Sequence, residues 1–307
     1  MLVLTRETLH IFDLVLKQLI RLSSEAVIQF INGLFGTNHP LDSSVEYPNT
    51  ENVSKKLRRL MSDTVIIING VHVYHIEGEI SGDADIALRV FEYGFAEGLR
   101  ARTPSEDGRI TIRFPNARII YWEITNEVPD EVMLSLEFPD GGRYDYKVKA
   151  FKFLKYSVKE LEERKMAILL PFYVLKLRKR TVKAKTPDER SKLAGEMRPI
   201  LENLVTTVES CTASGLMNES DKRIVLEHME RLYRELFGQY EEFTEVDTML
   251  RDRVLTYSEE AELKGRQEGR QEGKYEMAKN LLANGVPPEI IAKSSGMSLD
   301  ALKTLMN

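Results

Sequence analysis

Phe12, Val15, Leu16 and Leu19, followed by Val27, Phe30, Ile31 and Leu34, recur at intervals of three and four residues. This spacing predicts helical structure over residues 7–34 with one apolar face. Turn formers then dominate residues 36–50, Pro40 and Pro48 among them. Beyond them the period changes. Residues 64–68 and 71–80 are β-branched runs on either side of Asn69-Gly70, which predicts a β-hairpin. Helical spacing returns over residues 84–102, with Ile86, Val90, Tyr93 and Leu99 facing inward. A strand is expected at residues 119–124. A second hairpin is expected where Met133 to Phe138 and the run from Tyr144 flank Pro139-Asp-Gly-Gly142.

From about residue 157 the pattern is helical. Leu193, Met197, Ile200, Leu201, Leu204 and Val208 mark one face of residues 187–212, and Val225, Met229, Leu232 and Leu236 one face of residues 219–237. A third segment runs from about residue 245 through Gly265-Arg-Gln-Glu-Gly-Arg-Gln-Glu-Gly-Lys274, a tract of period four. Its Glu/Arg pairs support a solvated helix, but each glycine costs ~1 kcal/mol relative to alanine. A flexible or closely packed helix is expected there. Strands followed by helices predict an α/β part over residues 1–156, a helical region over 157–262, and a linker helix with a small helical hairpin over 263–307.

Composition narrows the class. The chain has 307 residues, 42% hydrophobic and 30% charged, which excludes a disordered or collagen-like polymer. Cys211 is the only cysteine, so neither an internal disulfide nor a cysteine zinc cluster is available, and a reducing cytoplasm is expected. The opening MLVLTRETLHIFD lacks the basic-then-apolar build of a signal peptide. The longest apolar run, residues 167–175, is interrupted by Pro171 and falls short of the ~20 residues a membrane span needs. No membrane partner is expected.

Net charge is −5 overall, yet residues 147–185 carry 13 Lys/Arg against 3 Glu, a local +10. Within this stretch Lys147, Lys149, Lys152 and Lys155 interleave with Phe151, Phe153 and Tyr156, and Lys176, Arg178, Lys179, Arg180, Lys183 and Lys185 follow. Such a run suits contact with a phosphate backbone; a solvated face with its aromatics turned inward is the other reading.

The candidate chemistry lies in Ser62-Asp63 and the following Tyr74-His-Ile-Glu77-Gly-Glu79. Side chains two apart on a strand share a face, so Glu77 and Glu79 point the same way. Carboxylates converging from two strands suit Mg²⁺ or Mn²⁺, which takes one or two carboxylates and leaves positions for phosphate oxygens. Register decides whether Asp63 joins them. A two-residue Asn69-Gly70 turn puts Asp63 and Glu77 on opposite faces. A three-residue loop Asn69-Gly70-Val71, or a bulge near Asp63, places Asp63 beside Glu77. Asp13 and Lys17 stand at i, i+4 and read as a helix-surface ion pair. Arg89 could position a catalytic carboxylate or contact phosphate, and Lys17 is a further candidate phosphate contact, although spacing alone makes Arg89 a solvated helix residue; Tyr93 reads as core, and His72 and His75 as strand side chains.

PNTE (48–51), RRLMSDTVIIINGVHVYHIEGEI (58–80) and ALRVFEYGF (87–95) together resemble the recombination-promoting nuclease/putative transposase family of the PD-(D/E)XK nuclease superfamily. FDLVLKQLI (12–20) is similar to that family's opening helix, with an Asp and a Lys four residues apart; LLPFYVLKLR (169–178) and the closing segment are in its style. The resemblance implies a restriction-endonuclease-like mixed sheet flanked by helices, followed by an all-helical C-terminal region. It also implies Mg²⁺-dependent cleavage of DNA. Asp63 and Glu77 would be the metal ligands, Asp13 an assisting acid, and Arg89 and Tyr93 the Arg and Tyr of the next helix. Glu79 departs from the family: the third motif position is normally Lys, which would orient water and offset transition-state charge, and in this family often Gln. A glutamate there supplies no positive charge. It marks either a base or second-cation ligand, or a site that has lost activity and kept DNA or protein binding. Ala292, Gly296 and Leu302 match the small–Gly–apolar spacing of a helix-turn-helix, but without a basic reading face a packing hairpin or a homo-oligomer contact is the expectation.

Overall fold

In a computed structural model of the chain, which describes residues 6–48, 64–80, 85–104, 108–123, 128–298 and 301, the N-terminal apolar stripe folds as two helices. α1 (Arg6–Leu19) buries Phe12, Val15, Leu16 and Leu19, and α2 (Ser24–Phe35) buries Val27, Phe30, Ile31 and Leu34. The break falls at Ser23, whose hydroxyl accepts the Ala26 N–H and caps α2.

A mixed sheet follows. β1 (Val45–Glu46), β2 (Val65–Ile68), β3 (His72–Glu79), β6 (Asn116–Tyr121), β7 (Glu131–Glu137) and β8 (Arg143–Lys152) form six strands in the order β1-β2-β3-β6-β8-β7. β4 (Thr103–Pro104) and β5 (Ile110–Thr111) pair apart from it. β6 runs parallel to both β3 and β8, and the remaining pairings are antiparallel. Parallel neighbours need a crossover, and α3 (Ile86–Arg100) lies between β3 and β6 in the chain. The sheet with its flanking helices is an α/β fold, and the chain beyond it is helical.

The first hairpin takes the shifted register. Ile68 faces His72 and Val65 faces His75, so the connection is Asn69-Gly70-Val71, with Asn69 at φ 53° and Gly70 at φ 68°. Asparagine and glycine are the residues that tolerate this left-handed backbone. Asp63, whose place this register was to decide, lies outside the described residues, as does everything from 49 to 63. The strand expected at 119–124 sits earlier, at Asn116–Tyr121, where its two parallel neighbours bound it; Ile124 is outside the described residues.

The sheet is covered on both sides. On one, Ile119, Tyr121, Val132 and Val148 pack on Ile86, Ala87 and Val90 of α3. On the other, Trp122 stacks on Phe172 with centroids 4.1 Å apart, and Phe172 meets Phe12 edge-on. Phe172 belongs to Ala167–Leu177, a run of 3-10 turns in which every residue but Lys176 is buried. The longest apolar stretch of the sequence is therefore core. α4 (Val158–Glu163), α5 (Arg178–Lys183), α6 (Pro187–Ala213) and α7 (Glu219–Phe237) pack on it. Capping boxes at Ser157/Glu160, Thr186/Glu189 and Asn218/Asp221 start α4, α6 and α7.

By compactness the chain divides into Met1–Asp252 and Arg253–Asn307. Residue 156, the expected end of the α/β part, falls inside the first unit, because residues 167–177 are packed between Trp122, Phe12 and the helices. α8 (Thr244–Ala283) continues unbroken through the glycine tract, and a Cβ at Gly269 or Gly273 would meet nothing within 4 Å. Within the second unit Ala278 and Ile291, the latter on α9 (Pro288–Ser295), are buried with Leu281, Leu282, Val286 and Met297 around them. Leu302 lies outside the described residues. No described helix is long and apolar enough to cross a membrane.

Candidate functional site

β3 sorts its residues by alternation. Tyr74 and Ile76 point into the core beside α2 and are buried, whereas His75, Glu77 and Glu79 face α3. From α3, Arg89, Tyr93 and Glu97 stand at i, i+4 and i+8 on the face turned to that row. The two rows interlock. Arg89 Nη2 lies 2.5 Å from Glu79 Oε2, and its Nε lies 3.2 Å from Glu77 Oε1. The second Glu79 oxygen accepts the Ile80 N–H at 2.9 Å. Glu77 Oε2 lies 3.5 Å from Nε2 of His75, a side chain 1% exposed whose ring packs edge-on to Tyr93.

Tyr93 and Glu97 show what this crowding does. Burial, and then the negative charge of Glu77, push the Tyr93 phenol above its ordinary pKa; Arg89 and Lys17 pull the other way. Lys17 thus acts on the site from α1, where it pairs with Asp13 at 2.7 Å. Asp13 is half exposed in that i, i+4 pair, as its spacing predicts. Glu97 is 3% exposed; one oxygen meets Arg100 Nε at 3.2 Å, and the other, Oε1, has no hydrogen-bond partner among the described residues. Burial holds its carboxyl above the ordinary range, with Arg100 opposing.

The shared face of Glu77 and Glu79 was legible from alternation. That Arg89 positions a carboxylate was one of its sequence readings, and the structure adds that it clamps both; its other reading, as a phosphate contact, meets a guanidinium already paired with Glu77 and Glu79. Glu97 was missed as well. Its signal was the four-residue spacing Arg89, Tyr93, Glu97 after a strand that reads His75, Glu77, Glu79.

The basic residues fare differently. Lys152 is buried and its ammonium meets Asp130 at 2.7 Å, holding that carboxyl below its usual range, so it is not an outward phosphate contact. Arg178 and Lys179 both pair with Glu123, and Arg180 with Glu196. Lys176 donates to the Tyr173 hydroxyl at 2.8 Å. The expected positive groove is in this part an internally neutralised region. Lys147 and Lys149 remain exposed on β8.

Glu77 and Glu79 offer hard oxygen donors, the chemistry a Mg²⁺ site uses. The cation already between them is the Arg89 guanidinium, and Glu77 Oε2 is the carboxylate oxygen that faces away from it. Among the described residues no group of three or more His, Cys, Asp or Glu is placed to hold a metal; Asp63 is not among those residues. No protein-family model matches the chain, and neither a curated protein nor a solved structure matches it significantly.

Proposed function

We propose that this chain is a metal-dependent DNA endonuclease of the recombination-promoting nuclease/putative transposase type, built on a restriction-endonuclease-like core. The observation that carries the reading is the pair Glu77 and Glu79 on one face of β3, beside a parallel neighbour, with Arg89 of the next helix holding both. In this reading Asp63 and Glu77 hold Mg²⁺ or Mn²⁺, which when bound polarises a phosphodiester and lowers the pKa of an attacking water. Arg89 fixes the two carboxylates and keeps their charges from repelling each other. Tyr93 closes the site on the His75 side, and Asp13 assists from α1 through Lys17.

A second reading rests on Glu79 itself. Both of its oxygens are taken, one by Arg89 and one by the Ile80 N–H, which leaves little capacity for a base or a second ligand. A catalytically silent DNA-binding or protein-interaction module on the same core would have this feature.

The deciding experiment incubates the full chain with supercoiled plasmid and Mg²⁺ or Mn²⁺, beside Asp63→Ala and Glu77→Ala. Nicking that both variants lose supports the endonuclease. DNA retention on a gel without nicking selects the silent module.

A further inference from the structure

Lys147 and Lys149 project from the face of β8 opposite to Tyr146, Val148 and Ala150, which pack toward α3. In the parallel pairing of β6 with β8, Arg118 stands directly across from Lys149 and shares its face. Phe35, the last residue of α2, supplies the neighbouring wall: the Arg118 guanidinium lies 5.2 Å from its ring centroid, and the Tyr74 ring lies 4.7 Å away on the Phe35 side of β3. With Asn116 these side chains line a cavity of about 350 Å³, to which β8 adds the Tyr146 position and no carboxylate of the described residues contributes.

The charge here differs from that of the arginines in the helical region that follow residue 177. Arg178, Arg180, Arg190 and Arg198 each meet a glutamate within salt-bridge distance. Among the described residues Arg118 has only the Phe35 ring as a charge partner, and its buried Nε finds no acceptor. Burial lowers the Arg118 pKa from its ordinary value, yet a guanidinium starts so high that it stays cationic. A half-buried cation with no counter-ion is unfavourable unless an anion completes it. A planar guanidinium flanked by two ammonium groups is suited to a phosphate, which it grips through two parallel N–H bonds. The volume is larger than one phosphate requires and lies at the lower end of cavities that hold small organic ligands.

We propose that this cavity binds a phosphate ester of mononucleotide size, its phosphate on Arg118, Lys147 and Lys149 and its organic body against the Phe35 and Tyr74 rings. The site lies on the opposite face of the sheet from Glu77 and Glu79 and does not depend on their being catalytic. The same chemistry arrives from two sources, a free mononucleotide or the 5′-phosphorylated end of a nucleic-acid strand.

The test is equilibrium binding to the full chain of adenosine, AMP, inorganic phosphate, and one short single strand with and without a 5′-phosphate. AMP is expected to bind saturably and adenosine not, or else the phosphorylated strand to bind and its unphosphorylated form not. The first result assigns a free nucleotide and the second a strand end. In either case Arg118→Met weakens binding about tenfold or more, the exposed substitution Lys149→Glu weakens it too, and Glu77→Gln leaves it unchanged. Three results overturn the proposal. They are no binding in any arm, inorganic phosphate binding as tightly as AMP, and binding that Lys149→Glu and a folded Arg118→Met both retain in full.

Discussion

Two faces of one sheet handle charge in opposite ways. On the α3 side of β3, Glu77 and Glu79 are answered within the chain by Arg89, and Glu97 by Arg100. On the other side, Arg118 joins Lys147 and Lys149 around a cavity that no carboxylate of the described residues lines. The first arrangement fixes side chains in place, which a reactive centre or a rigid interface needs. The second leaves positive charge for something outside the chain to answer. The contrast teaches that a count of acids and bases says little about a site; what matters is which charges the fold has already paired.

Both regions hang on the same packed sheet, so the largest effect comes from removing its anchor. Trp122→Ala deletes a ring 1% exposed and stacked on Phe172, and should lower stability by about 3–5 kcal/mol in urea unfolding. An unshifted midpoint would show that the two faces are not held by a common core.

The next test strikes the paired face alone. Arg89→Met leaves Glu77 and Glu79 facing each other without their clamp and should cost about 1–3 kcal/mol. Adding Glu79→Gln should recover part of that loss, with a coupling of about 1 kcal/mol in a double-mutant cycle. Strict additivity would mean that the pair does not act as a unit.

Arg118→Met is the counterpart on the unpaired face. It forfeits the contact with the Phe35 ring but relieves an unanswered cation, so stability without ligand should change by no more than about 1 kcal/mol. A loss as large as that of Arg89→Met would break the comparison, because it would mean Arg118 is satisfied internally after all.

The smallest effect is a pH dependence. Burial raises the folded pKa of Glu97, so as pH climbs past the ordinary carboxyl range the unfolded chain releases this proton first. Stability from this group falls with rising pH until pH passes the folded value, and the loss persists beyond it. Glu97→Gln cannot titrate. Its melting temperature relative to the native protein should therefore rise as pH climbs through and above the ordinary carboxyl range. A difference that stays flat across that range would place the Glu97 carboxyl in an ordinary environment.

Much of the fold was legible because its signals are local. The stripe from Phe12 to Leu34, the Asn69-Gly70 hairpin and the Pro139–Gly142 turn each predicted their element. Convergence of acids on adjacent strands called for either a three-residue loop or a bulge near Asp63, and the Ile68–His72 register is the first of these. The charge reading went less well. Lys152, Arg178, Lys179 and Arg180 looked like a basic surface, but their partners Asp130, Glu123 and Glu196 come from other elements. Arg178 and Glu123 are 55 positions apart in the chain. Arg118 and Tyr146 drew no notice for the same reason, since a cavity between β6, β8 and the end of α2 has no signature in any one segment.

By itself the sequence determined the periods: where the chain coils, where it extends, and that Glu77 and Glu79 share a face. Those follow from backbone geometry repeating every 3.6 or 2 residues, a property of neighbours along the chain. Only the tertiary structure decided which charges are neutralised, that residues 167–177 are core, and that three cations surround one cavity. Such outcomes depend on burial and on partners brought together from distant segments, and Coulomb attraction and desolvation act on distance in space, whatever the separation in sequence.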